Sequence, residues 1–282
     1  MTEVTAEWVV VADDVAIVSC QTAEFWFVEL GAHRAMLPFA SPMTGEGTPG
    51  STAGLLDGAI ALAFSGGERE PHRFTSLARY VFDLAGAYHN ARRTPGHFRR
   101  AAKRLRGLGR PEIAEYLEFH AREETGHDKL VLKDLRALGL PAERIVANLD
   151  HEGVRPLCAF FDALVEVAYP VGCIGYSYCF EATAALKGRE EVDALTALWP
   201  RTLDAARFLR THSGLGSEVS HVQDMIGFIA SLPAADRIEI AKATYATALL
   251  MAEGLERVGA IPDSAILARI EAAAGEKVHL QA

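Results

Sequence analysis

Residues 115–139 read EYLEFHAREETGHDKLVLKDLRALG, and the fold turns on this stretch. Its apolar residues recur at helical spacing, without the strict alternation of a half-buried strand. His120, Glu124 and His127 stand at i, i+4 and i+7. On an α-helix those positions share one face, so two imidazoles and a carboxylate would be stacked along one side. Glu123 points about 100° away and reads as a solvent-facing neighbour. Histidine and carboxylate in this mix are ligands that iron, manganese and zinc accept. A lone histidine on a helix is more often a hydrogen-bonded core or surface residue. Two of them with a carboxylate between shift the balance toward ligation.

Working outward, helical periodicity covers 73–90, 97–107, 111–138, 157–187, 190–211, 217–231, 234–258 and 263–274. Stop signals separate them at Thr94-Pro95-Gly96, Gly139 with Pro141, Gly188, Pro233, and Gly259 with Pro262. No strand signal follows residue 70. Residues 71–282 therefore predict an all-α bundle of roughly seven or eight helices. The first 70 residues differ. EWVVVADDVAIVSC (7–20) predicts two short strands about an Asp13-Asp14 turn, and EFWFVEL (24–30) a third. SPMTGEGTPGST (41–52) is a loop, with a short apolar helix after it. Residues 1–70 are expected to form an N-terminal accessory segment.

The chain has 282 residues, half of them apolar, and a net charge of −9. That charge argues against nucleic-acid binding, which needs a basic surface to displace counterions. The weakly charged run 167–186 is interrupted by Pro170 and Gly172 and contains Glu181, so it reads as a core helix and not a membrane span. The opening MTEVTAEWVVVADD lacks the layout of a signal peptide. Cys20, Cys158, Cys173 and Cys179 show no CxxC spacing and predict buried thiols in a reduced, cytoplasmic chain.

Two further segments carry ligand-type residues. In VGCIGYSYCFEATAAL (171–186) Glu181 is the only charge between Glu166 and Lys187. A carboxylate buried there is costly unless a hydrogen-bond donor, a cation or a metal satisfies it. FLRTHSGLGSEVSHVQDMIGFIASL (208–232) carries His212, Glu218 and His221. Gly214 and Gly216 weaken a continuous helix there, so a kink or break is expected. His212 would then either swing toward His221 or simply end a helix, where the macrodipole favours it. Glu-x-x-His occurs twice, at Glu124/His127 and Glu218/His221, an arrangement similar to that of di-iron carboxylate bundles.

On HAREETGHDKLVLKDLRALG, Glu181 and HSGLGSEVSH the chain resembles the haem-oxygenase-like di-iron oxidases. These share the helical fold of haem oxygenase, thiaminase-II and the pyrroloquinoline quinone biosynthesis protein C family. Their usual pattern is Glu-x6-His on one core helix, a single Glu on a second, and His-x3-Asp/Glu-x2-His on a third. His127, Glu181, Glu218 and His221 match it. His120 stands where most members carry Glu. Either His120 is a ligand swap or Glu124 supplies the missing carboxylate. Gly214 stands where the third helix's first His would align, so His212 serves only if the backbone bulges.

The resemblance implies two irons per chain, O2 as co-substrate, and oxidation of a small metabolite. An amino acid or amino-acid derivative in natural-product biosynthesis is the favoured substrate. Tyr176, Tyr178 and Phe180 would supply pocket walls, and Arg207 or Arg210 would bind a substrate carboxylate as a fork. A homodimer is common for this fold. The basic stretch RRAAKRLRGLGR (99–110) reads as a solvated helix face, with a dock for an acidic carrier protein as the sharper alternative. Two rival readings stand beside the oxidase. One is a metal-free member of the same fold, either a thiaminase-like hydrolase using Cys173 or Cys179, or a cofactorless oxidase. The other is a non-catalytic helical binding module.

Overall fold

The alternating residues near the N-terminus form three antiparallel strands, β1 (Glu7–Ala12), β2 (Val15–Ser19) and β3 (Phe25–Glu29), in the order β1-β2-β3. The computed structural model describes residues 6–12, 14–31, 39, 41–66, 74–199, 204–213 and 218–280. One sheet face buries Val9 and Ile17 against α1 (Pro49–Ala63). Thr48 and Ser51 cap that helix reciprocally, each side chain accepting from the other's backbone N–H, with Pro49 opening the first turn. The buried Glu7 on β1 accepts from Ser51 Oγ at 2.7 Å and from Arg237 Nε at 2.7 Å.

Among the described residues ten further helices build the body: α2 (Leu77–Gly107), α3 (Pro111–Glu123), α4 (His127–Ala137), α5 (Ala142–Asn148), α6 (Arg155–Glu166), α7 (Gly172–Leu198), α8 (Arg207–Thr211), α9 (Glu218–Ala230), α10 (Ala234–Gly259) and α11 (Asp263–Ala274). The fold is all-α apart from the small sheet, with more and shorter helices than periodicity predicts. Arg237 belongs to α10, so its bond to Glu7 ties the sheet to the bundle. Two apolar clusters form the core. Leu55, Leu117, Ile174, Ile229 and Ile240 represent one, and Val81, Phe82, Leu135, Ile145 and Ile266 the other. No helix among the described residues is long and apolar enough to cross a membrane.

Several expected boundaries are corrected: the stretch expected as one helix over 157–187 divides between α6 and α7, and the one expected over 190–211 divides between α7 and α8. Pro95 does not end a helix: α2 runs through it, buried along much of its length, and the Thr94 hydroxyl donates to Asn90 O at 3.0 Å. Gly188 does not end one either, and lies inside α7. The stretch expected as one helix over 111–138 instead breaks. α3 stops at Glu123, and Gly126 precedes α4 at φ 103°, a left-handed conformation that glycine adopts without steric cost. The arginines of 99–110 are largely engaged by the chain's own carboxylates: Arg104 with Glu166, Arg106 with Glu118, Arg110 with Asp236.

Candidate metal centre

The break between α3 and α4 decides how the opening triplet is used. Glu124 caps the end of α3 and His127 is the first residue of α4. The turn brings them together, with His127 Nδ1 3.0 Å from Glu124 Oε2. His212 arrives from another part of the chain, as the residue that ends α8. Two contacts hold α8 in place. Asp134 of α4, fully buried, accepts from Phe208 N at 2.8 Å and from Arg207 Nη1 at 3.2 Å. On α7, a Cβ at Gly188 would fall 2.4 Å from Ser213 Cα, so only glycine lets this segment pass so close. As a result, one ligand atom from each of Glu124, His127 and His212 lies within 4.8 Å of the others. The two imidazole rings are 4.7 Å apart and nearly perpendicular.

Burial pushes His212 down to about 4, against the charge of Glu124, so the ring is uncharged at neutral pH. Its Nε2 is sealed from solvent and has no hydrogen-bond partner among the described residues. A buried polar atom of this kind calls for a further group to satisfy it. Burial also pushes His120 down to about 4. Burial raises Glu124, but the His127 hydrogen bond and the charges of His212, His127 and His120 outweigh it and hold the carboxyl low. Because His212 and His120 are neutral at pH 7, the His127 bond is the contribution that survives there. An anionic carboxylate and two imidazoles form a donor set suited to iron, manganese or zinc. These residues fit a bound divalent metal.

His120 stands apart from that triad. Its ring packs 4.4 Å from Tyr116 and 6.3 Å from Phe98, within electrostatic reach of Glu124 and His221. Tyr116 is stacked on Phe228 of α9 at 3.8 Å, and the charges of Glu181 and Asp224 act on it. Its buried hydroxyl has no hydrogen-bond partner among the described residues. Glu218 opens α9, and its side chain lies outside the described residues. Tyr116, Asp224 and Asp134 were not singled out from sequence. Tyr116 is one helical turn before His120 and Asp224 nearly one turn after His221, so spacing alone could have found both. Nothing local marks Asp134.

No protein-family model matches the chain, and no curated protein does. Solved structures do. One is a domain of unknown function with a haem-oxygenase-like fold from Shewanella denitrificans, at TM-score 0.58 and 18% identity over 74% of this chain and 88% of that one. Another is a TenA homolog from Pseudomonas syringae pv. tomato, at TM-score 0.56 and 11% identity over 78% of this chain and 99% of that one. The fold is haem-oxygenase-like. At these identities the likeness extends to architecture and not to chemistry.

Within this haem-oxygenase-like bundle a cavity of about 330 Å³ opens beside the triad, with Glu124, Glu181 and His212 in its wall. Tyr176, Phe180 and Phe208 line it. Three expected pocket residues do not line it. Tyr178 is buried with its hydroxyl donating to Asp57 at 2.8 Å. Arg207 is turned to Asp134, and Arg210 is exposed. Proximity along the chain does not fix the direction of a side chain, and α7 and α8 turn these three elsewhere.

Proposed function

We propose that this chain is a non-haem di-iron oxidase or oxygenase that uses O2 to oxidise a small metabolite. One observation carries the reading: two imidazoles and a carboxylate converge within 4.8 Å, Glu124 and His212 among them in the wall of a largely apolar cavity, and the His212 imidazole has a buried nitrogen unsatisfied among the described residues. Glu124, His127 and His212 would hold one metal. Glu181, His120, His221 and Glu218 are the groups on offer for a second. Iron in such a donor set supplies redox chemistry with O2.

The chain's own residues prepare the site. His212 and His120 are already unprotonated at neutral pH, so neither must shed a proton before ligation. The Glu124 hydrogen bond holds the proton of a neutral His127 on Nδ1 and places its lone pair on Nε2. Apolar walls exclude water from the space beside the ligands, which strengthens every electrostatic contact there. Anaerobic Fe(II) titration of untagged protein tests the reading. Two irons per chain and an O2-dependent absorbance change are expected. Glu124→Ala, His127→Ala and His212→Ala should each lose at least one iron. Unchanged Fe(II) binding in both His127→Ala and Glu181→Ala would sink the site.

The likeness to a TenA homolog raises a thiol-based hydrolase as the alternative. Burial pushes the Cys173 thiol up to about 12 and raises Cys179 as well, and both side chains are fully buried. Neither lines the cavity. A thiol in that setting is inert rather than nucleophilic.

A further inference from the structure

The cavity has a second polar end. Asp83, Ala87, Asn90 and Thr94 line it along one stripe of α2, and Phe98 is the last lining residue on that helix. Phe98 packs against His120, one helical turn before Glu124, and shares the cavity wall with Glu124 at that end. Asp83 lies about 22 Å from Phe98 along the helix, at 1.5 Å of rise per residue. Beside it stands His151, on the loop between α5 and α6.

This corner is built. Val154 N–H donates to His151 Nδ1 at 3.2 Å, so that nitrogen carries no proton and the ring's N–H is on Nε2. Nε2 faces Asp83 Oδ1 at 3.4 Å. The ring is stacked on Phe82 at 4.3 Å. It also lies against Gly86, where a Cβ would come within 2.6 Å of the imidazole Cδ2. The imidazole thus has one orientation, and it presents its only N–H to the carboxylate. Between the two ends the wall is apolar, with Leu157, Met251, Leu255 and Val258 among its residues.

Among the described lining residues the formal charge is one-sided. Asp83, Glu124, Glu181 and Glu191 contribute carboxylates, and no Lys or Arg occurs among the described lining residues. A low-dielectric cavity of that sign repels anions and concentrates cations. A metal ion at the triad would neutralise Glu124, whereas Asp83 lies at the other end of the α2 stripe. A free substrate carboxylate meets no Lys or Arg among those residues, and Arg207 nearby in the chain is paired with Asp134.

We propose that Asp83, oriented by His151, binds the protonated amine of an otherwise apolar substrate whose other end reaches the metal centre. This rests on the oxidase reading only for what happens at that other end. The substrate class is an organic amine without a free carboxylate, which narrows the amino-acid expectation to its decarboxylated or carboxyl-blocked derivatives.

Calorimetric titration of chelator-treated, full-length protein tests the subsite without iron chemistry. The probes are phenylbutylamine, the neutral alcohol phenylbutanol and the carboxylate phenylpentanoate. The amine should bind at least about tenfold more tightly than either of the others. Asp83→Asn should erase that preference and leave the alcohol's affinity unchanged, while Glu181→Gln should keep it. His151→Gln should weaken the amine severalfold with a native melting curve, and it serves alone if Asp83→Asn does not fold. A carboxylate that binds as well as the amine overturns the proposal. So does an amine preference lost in Glu181→Gln but kept in Asp83→Asn, or no binding of any probe at millimolar concentration. An amine site confirmed in protein that takes up no iron would leave the subsite standing and remove the oxidase.

Discussion

Asp134 is fully buried, and its desolvation raises the carboxyl against the opposing hydrogen bonds from Phe208 and Arg207 and the Arg207 charge. The folded pKa therefore lies above the unfolded one. Between the two values the folded state binds more protons, so this residue's contribution to stability falls as pH rises through that window. Asp134→Asn removes the ionisation and keeps an acceptor for Phe208 N–H. Its stability relative to the parent should accordingly be greater at pH 8 than at pH 4, as read from urea midpoints of chelated protein. Asp134→Ala behaves differently. It strands a buried N–H at a cost of about 1–3 kcal/mol and releases the helix that ends in His212. Zn(II) affinity should drop by at least about tenfold, as for other residues that orient a ligand from behind. An unaltered affinity would show that His212 is positioned by something else.

Among elements, the helix breakers were the hardest residues to read. Pro95 and Gly188 looked like stops and are helix interior, whereas Gly126 lies inside the stretch read as continuous and is the break. Local propensity is a weak prior that burial overrides. α2 keeps its course past Pro95 because core contacts on both sides of the proline outweigh one missing bond. Gly188 serves tertiary packing: it gives way to Ser213, and with it to His212. Gly188→Ala would push a methyl into that backbone. The expected result is a loss of about 1–3 kcal/mol from overpacking, together with weakened metal binding. Thermal melts and metal titration on the same samples check both. If the melt shifts and metal binding stays intact, the crossing does not set His212.

For the molecule as a whole, the buried pair Glu7–Arg237 joins the strands to the bundle. Arg237→Ala leaves the Glu7 carboxylate inside without its cation, and should cost about 3–5 kcal/mol. The double variant Glu7→Gln with Arg237→Met should recover most of that, as measured by denaturant midpoints. A single variant no less stable than the double one would mean that water or the neighbouring hydroxyls already satisfy Glu7.

The helical body, the three strands and the residue types of the site were legible in the amino-acid order, because periodicity and side-chain chemistry are local properties. His127 and Glu181 stand out as candidates from their neighbours alone. The structure decided the rest. Whether His120 or Glu124 joins His127 depended on a left-handed turn at Gly126, which rotates α4 out of line with α3. Whether His212 reaches the site depended on Asp134 and Gly188, residues of other helices. The acidic far end of the cavity comes from Asp83 and His151, which only the packing of the loop before α6 onto α2 brings together. Ligand type is written in one stretch of chain, but ligand position depends on contacts between stretches far apart in sequence, and no local pattern records those.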